Sequence, residues 1–207
     1  WREGVNPEKV EELLNADREK QIRAVCVVHN ETATGVTSDI SSIRKALDRT
    51  GHPALFMVDT ISSLASMDYR HDEWKVDVTV AGSQKGLMLP PGLSFNAVSD
   101  KALEASEKAQ LPRAYWNWQE MLNANGQSVF PYTPATNLLY GLKEALILLK
   151  EEGLDQVFAL HRQLAEATRK AVQGWNLEMN ALHSYEFSDS LTAVRMPEGH
   201  DADQFRK

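Results

Sequence analysis

The sequence is almost without cysteine. Cys26 is the only one in 207 residues, which excludes an internal disulfide and a metal cage of cysteine thiolates, and which suits a reducing compartment. Long apolar runs are missing too. No stretch approaches the roughly 20 consecutive apolar residues that a membrane-spanning helix needs, so no membrane partner is expected. Positive charge is in deficit. Lys and Arg number 22 against 29 Asp and Glu, for a net charge of −7, and the basic residues are interleaved with acids. A nucleic-acid backbone needs clustered cations, so no nucleic-acid partner is expected. Internal repeats and low-complexity tracts are also lacking. The chain opens on Trp1 with no basic-then-apolar targeting segment, and Phe205-Arg206-Lys207 reads as the opening of a helix. It therefore reads as an internal fragment, with a cytoplasmic location expected, or a peroxisomal one for a eukaryotic source.

What is present is the composition of an ordinary globular protein, 43% apolar and 25% charged. Val10 to Asn15 has a helical pattern in a segment that Asn6 can cap and Pro7 can start. Ala24-Val25-Cys26-Val27-Val28 is a short apolar run rich in β-branched residues, which predicts a strand buried on both faces. Ile40 to Arg49 reads as a helix, and Gly51-His52-Pro53 stops it ahead of a second strand, Ala54 to Val58. Val76 to Val80 and Leu93 to Ser99 predict a third and a fourth strand. Helices between buried strands imply an α/β fold with a mainly parallel sheet and flanking helices. From about Pro134 the pattern is helical up to Gly153, and a second amphipathic run covers Leu154 to Val172. Ser190 to Pro197 reads as a strand of a second, smaller α+β domain. The predicted division is 1–152 for a partial large domain and 153–207 for a linking helix and the start of the small one.

Open α/β sheets bind ligands beyond the carboxyl ends of their strands. Three such ends carry polar groups here: His29 to Thr34, Asp59, and Ser83-Gln84-Lys85. A lysine between Gly82 and Gly86 allows close backbone approach, and partial desolvation of its amine lowers its pKa toward nucleophilic reactivity. Asp59, at the end of another strand, is placed to pair with a protonated ring nitrogen. The competing readings are a solvated surface lysine and a helix-capping aspartate. His29 and Glu31 form a His-x-Glu pair, but no Cys-x-x-Cys follows to complete a zinc deaminase site. Ala81 stands where a nucleophile elbow needs its first glycine, which argues against a serine hydrolase. Tyr115, Trp116 and Trp118 read as packing aromatics, with a ligand cavity or a subunit contact as the alternative.

The order of motifs is more specific than any one of them. His29-Asn30-Glu31-Thr32-Ala33-Thr34-Gly35, Val58-Asp59-Thr60-Ile61-Ser62-Ser63, Gly82-Ser83-Gln84-Lys85-Gly86-Leu87 with Pro90-Pro91-Gly92, and Phe130-Pro131-Tyr132-Thr133-Pro134 together resemble the class V aminotransferases along the whole chain. Within that family the resemblance is to the serine–glyoxylate and alanine–glyoxylate branch. It implies a fold type I pyridoxal-phosphate enzyme that moves an amino group from L-serine or L-alanine to glyoxylate. Lys85 would hold pyridoxal 5'-phosphate as a Schiff base and move the substrate proton, and Asp59 would bind the pyridine nitrogen. Thr32 matches a position near the ring substituents, and Gln84 one that contacts the cofactor phosphate. Thr133 matches a position that reaches the phosphate of the neighbouring subunit's cofactor, which implies a homodimer with a shared site. Phe130 departs from the pattern, since some relatives place a phosphate-binding tyrosine there. The phosphate loop, the ring-stacking aromatic and the carboxylate-binding arginine of the family match nothing in this sequence. A cysteine desulfurase of the same fold would carry a histidine where Gln84 stands. A module that kept the fold and lost the chemistry is the remaining alternative.

Overall fold

The structure is a computed structural model that describes residues 1–206. Helix α1 (Pro7–Ala16) starts as its sequence dictates: the Asn6 side chain accepts from the Lys9 N–H at 2.9 Å, and Pro7 occupies the first turn, where its missing N–H costs nothing. Strand β1 (Ala24–Val28) leads into a tight antiparallel pair, β2 (Asn30–Glu31) and β3 (Val36–Thr37). Helix α2 (Ile40–Thr50) is capped by Asp39 and ends at Gly51 with φ of 57°. Then come β4 (Leu55–Asp59), β5 (Val78–Gly82) and β6 (Ser94–Val98). Helices α3 (Asp100–Glu107), α4 (Trp118–Gly126), α5 (Thr136–Glu152) and α6 (Leu154–Gly174) follow, and β7 (Glu178–Met179) pairs with β8 (Val194–Arg195) before a closing turn, α7 (Ala202–Phe205). Lys207, the last residue of the predicted helix opening, lies outside the described residues.

The main sheet has the order β1-β4-β5-β6, with β1, β4 and β5 parallel. The mainly parallel α/β class expected from the sequence is the one found. One strand departs from it: β6 runs antiparallel to β5. Residues 83–93 bring the chain straight back along β5, and a parallel neighbour would require a longer crossover. The third strand also starts later than its apolar run suggests, at Val78 rather than Val76. Asp77 is the reason. Its buried carboxylate accepts from the Phe56 N–H at 2.8 Å, the Ser99 hydroxyl at 2.9 Å and the Lys101 ammonium at 3.0 Å, which fixes the entrance to β5 by side-chain bonds.

Helices α1 and α2 cover one face of the sheet. Leu14, Ile40, Ile43 and Leu47 pack there on Val27, Phe56 and Val58. Each such side chain contributes about 1.5–3 kcal/mol by leaving water. The opposite face of β1 corrects the expectation of burial on both sides, because Cys26 and Val28 are exposed. An edge strand has one neighbour, and here only one of its faces meets helices.

A second apolar cluster places the lysine loop. Leu87 and Leu89, just beyond Lys85, pack with Ala65 and with Ala145, Leu149 and Val157 of α5 and α6. The strand expected over 190–197 is reduced to Val194 and Arg195. Residues ahead of it spend their backbone groups locally: the buried Ser188 hydroxyl accepts from the N–H groups of Ser190 (3.1 Å) and Leu191 (3.2 Å). Among the described residues no helix is long and apolar enough to cross a membrane.

Candidate active site

Asp59 closes β4 and Lys85 lies just past the end of β5, so both stand at the carboxyl ends of adjacent parallel strands. The half-buried Asp59 carboxylate accepts the Ile61 N–H at 2.8 Å through Oδ1. Oδ2 takes no hydrogen bond among the described residues. The Lys85 side chain is exposed, which differs from the desolvation expected of it, and its amine has no protein partner among the described residues. An unpaired cation and a half-satisfied carboxylate at neighbouring strand ends fit a ligand carrying both an electrophilic carbon and a basic nitrogen.

The loop that presents Lys85 is held from below. Buried Ser83 donates its hydroxyl proton to the Pro90 carbonyl at 2.8 Å and accepts the Leu93 N–H at 3.2 Å, while the Met88 N–H donates to the Lys85 carbonyl at 2.9 Å. Gly86 is required by contact. A Cβ there would lie 2.2 Å from the Leu64 carbonyl oxygen and 2.6 Å from the Ser66 hydroxyl. The turn after β4 therefore sits directly against the residue after Lys85.

That turn, residues 60–66, is fixed from both sides. Thr60 donates to the Val80 carbonyl through its hydroxyl at 3.0 Å. The buried His29 ring bonds Ser63 through Nδ1 at 2.9 Å and lies against Tyr69 and Trp74, with ring centroids at 5.5 and 6.3 Å. Burial pushes the His29 imidazole down to about 4, which keeps it neutral. His29 is thus a packed structural histidine, and among the described residues no group of three or more His, Cys, Asp or Glu could hold a metal.

A cleft of about 740 Å³ opens beside Lys85. Thr32, Ser62, Ser66 and Ser190 give it a hydroxyl-bearing wall, and Leu149, Leu160 and His161 line another part. The Thr32 and Ser62 hydroxyls are hydrogen-bonded to each other. Of the residues singled out from the sequence, Lys85 and Thr32 meet in this cleft. Asp59, Gln84 and Thr133 are not among its lining. The Gln84 side chain folds back on Gly82, and its Oε1 would lie 2.8 Å from a Cβ there. Thr133 is exposed in a separate aromatic region, where the rings of Tyr115 and Tyr132 lie 4.8 Å apart and the Tyr132 hydroxyl donates to Glu120 at 3.2 Å. Phe130 is exposed beside it in sequence.

The family model for aminotransferase class-V matches residues 4–205. The chain belongs to the class-V aminotransferase family. It is 53% identical to serine–glyoxylate aminotransferase of Methylorubrum extorquens, over 98% of this chain and 52% of that protein. It is 48% identical to L-aspartate–glyoxylate aminotransferase of Paracoccus denitrificans, over 98% of this chain and 51% of that protein. Among solved structures, pyridoxamine–pyruvate aminotransferase from Mesorhizobium loti superposes with a TM-score of 0.90 at 33% identity, covering 99% of this chain and 52% of that one. The chain spans about half the length of the curated relatives it matches.

Within this class-V chain, Ser62, Ser66, Ser190 and His161 beside the lysine escaped sequence reasoning. Ser62 was in view as part of the motif after Asp59, but nothing local marks a hydroxyl as pointing into a cleft. Ser190 lies 128 positions from Ser62, and only folding brings them together.

Proposed function

We propose that the whole protein is a pyridoxal-phosphate-dependent aminotransferase that moves the amino group of a small amino acid to glyoxylate. L-serine is the first donor to test, with L-alanine and L-aspartate as the alternatives. The observation that carries this reading is the pair of groups without a protein partner among the described residues, the Lys85 amine and Asp59 Oδ2, at the carboxyl ends of β5 and β4. When bound, pyridoxal 5'-phosphate supplies an electron sink for the charge left on an amino acid that loses its α-proton.

Lys85 would be the covalent anchor, through Nζ. The same nitrogen would be the base that takes the substrate α-proton and the acid that returns it. Asp59 would hold a proton on the pyridine nitrogen by ion pairing through Oδ2, with the Ile61 N–H fixing the other oxygen. Thr32, hydrogen-bonded to Ser62, would orient the ring substituents, and Gln84 would contact the phosphate. Thr133 would serve the cofactor of a second subunit in a homodimer, a reading supported by its exposure and its absence from the lining of the Lys85 cleft. On the same reading, residues 1–152 belong to the large cofactor-binding domain and 153–207 to the link and the start of the small domain.

The test is spectroscopic. The purified whole protein is expected to show the visible band of a lysine-bound cofactor, and Lys85→Ala is expected to abolish it. A band that persists in the variant refutes the assignment of Lys85. Half-reactions with L-serine, L-alanine and L-aspartate, each followed by glyoxylate, identify the donor, and inertness to all of them rules out this branch of the family.

A further inference from the structure

Asn30 is 2% exposed, and its side-chain amide makes three hydrogen bonds. One polar side joins two distant parts of the chain: Nδ2 donates to the Ser62 carbonyl at 3.2 Å and to the Ser190 hydroxyl at 2.8 Å. Oδ1 accepts the Thr37 hydroxyl at 3.1 Å, and the Ser62 carbonyl, which can only accept, fixes which way the amide faces. Ser190 closes a triangle by donating its own hydroxyl proton to the same Ser62 carbonyl at 2.8 Å. Asn30 and Ser62 belong to the two strand-end segments, whereas Ser190 comes from the chain after α6.

The surrounding contacts give the triangle a stiff frame. The Ser188 N–H donates to the Gly35 carbonyl at 3.2 Å, and Arg169 of α6 donates to the Ser188 carbonyl at 2.8 Å. Residues 188–191 are thus tied to α6 on one side and to the turn between β2 and β3 on the other. Ser62 turns its carbonyl to Asn30 and Ser190 and its hydroxyl to Thr32, so whatever moves that carbonyl moves the hydroxyl pair in the cleft beside Lys85.

We propose that Asn30 and Ser190 are positioning residues: by clamping the Ser62 carbonyl between them they set the Thr32–Ser62–Ser190 wall of the Lys85 cleft, and with it the fit of the amino donor. The inference rests on the proposed aminotransferase reading for its kinetic consequence and on geometry alone for the clamp. Asn30→Asp keeps the shape and the bond to Thr37 but replaces the double donor with an acceptor facing two oxygens. Ser190→Ala removes the third corner at a residue that is exposed overall, and Ser190→Thr retains the hydroxyl.

Two measurements on the whole protein test it. Hydrogen exchange read by mass spectrometry is expected to quicken in both 60–66 and 188–191 in Asn30→Asp and in Ser190→Ala, and to return toward wild type in Ser190→Thr. Steady-state kinetics with L-serine and glyoxylate are expected to show KM for L-serine raised roughly tenfold in the first two variants, with kcat moved by less. Exchange confined to 188–191, or a lowered melting temperature with KM unmoved, overturns the proposal. Loss of the wild-type cofactor band would instead overturn the aminotransferase reading, and the exchange result would still decide the clamp.

Discussion

Gly86→Ala removes nothing and adds one methyl group, yet it should disable the lysine loop. The added carbon would sit 2.2 Å from the Leu64 carbonyl oxygen, 2.6 Å from the Ser66 hydroxyl and 3.0 Å from the Ala65 carbonyl carbon. The first contact is more than about 1 Å inside ordinary van der Waals separation. Ser66 can rotate away, but Leu64 and Ala65 present backbone, and that backbone cannot retreat freely. The next residue, Ser66, donates its N–H to Ser63, which the buried His29 ring holds. The Lys85 side has little slack, since Ser83 binds both Pro90 and Leu93. Overpacking of this kind costs about 1–3 kcal/mol, which urea denaturation should detect as a lower midpoint at unchanged slope. A displacement of about 1 Å at Lys85 should also lower the rate of the half-reaction with L-serine by roughly 100-fold. A Gly86→Ala protein with wild-type stability and a wild-type half-reaction would refute the claim that the turn after β4 sets the lysine.

Two further outcomes follow from buried polar groups. His29 is held at about 4 by burial against an ordinary value of 6.5, so the unfolded chain takes up a proton that the folded chain refuses. Its contribution is complete above about pH 6.5 and is lost as pH falls toward 4, by up to about 3 kcal/mol. Urea midpoints at pH 7.5 and 5 should therefore differ less in His29→Gln than in wild type, and an identical difference would remove His29 as the cause. Asp77→Ala leaves the Phe56 N–H and the Ser99 hydroxyl without an acceptor and Lys101 without its counter-ion. A loss of about 3–5 kcal/mol is expected by chemical denaturation, and a loss under about 1 kcal/mol would show that water replaces the carboxylate.

Much of the framework was legible locally. The Asn6 cap with Pro7 and the Gly51 stop each act through neighbours a few residues away, so α1 and the end of α2 could be read directly. The same holds for the apolar runs of β1 and β4 and for the placement of Asp59 and Lys85 at strand ends. The resemblance in motif order implies that these two residues act together, which spacing by itself could not suggest.

Other features depend on contacts that no local pattern encodes. The reversal of β6 comes from the path of residues 83–93, and the exposure of Cys26 and Val28 comes from where the helices are not. The burial of His29 depends on Tyr69 and Trp74, and the need for glycine at 86 on a carbonyl that belongs to residue 64. The sequence by itself determined α1, α2, α5, α6, the strands β1 and β4 and the two charged groups at strand ends, because caps, breakers and periodicity act over one or two turns. Helices α3 and α4 and the short strands β2, β3 and β7 emerged only in the structure. Only the tertiary structure decided what faces Lys85, because Ser190 reaches Asn30 and Ser62 through single hydrogen bonds across 160 and 128 residues, a separation that no local pattern of caps or periodicity can encode.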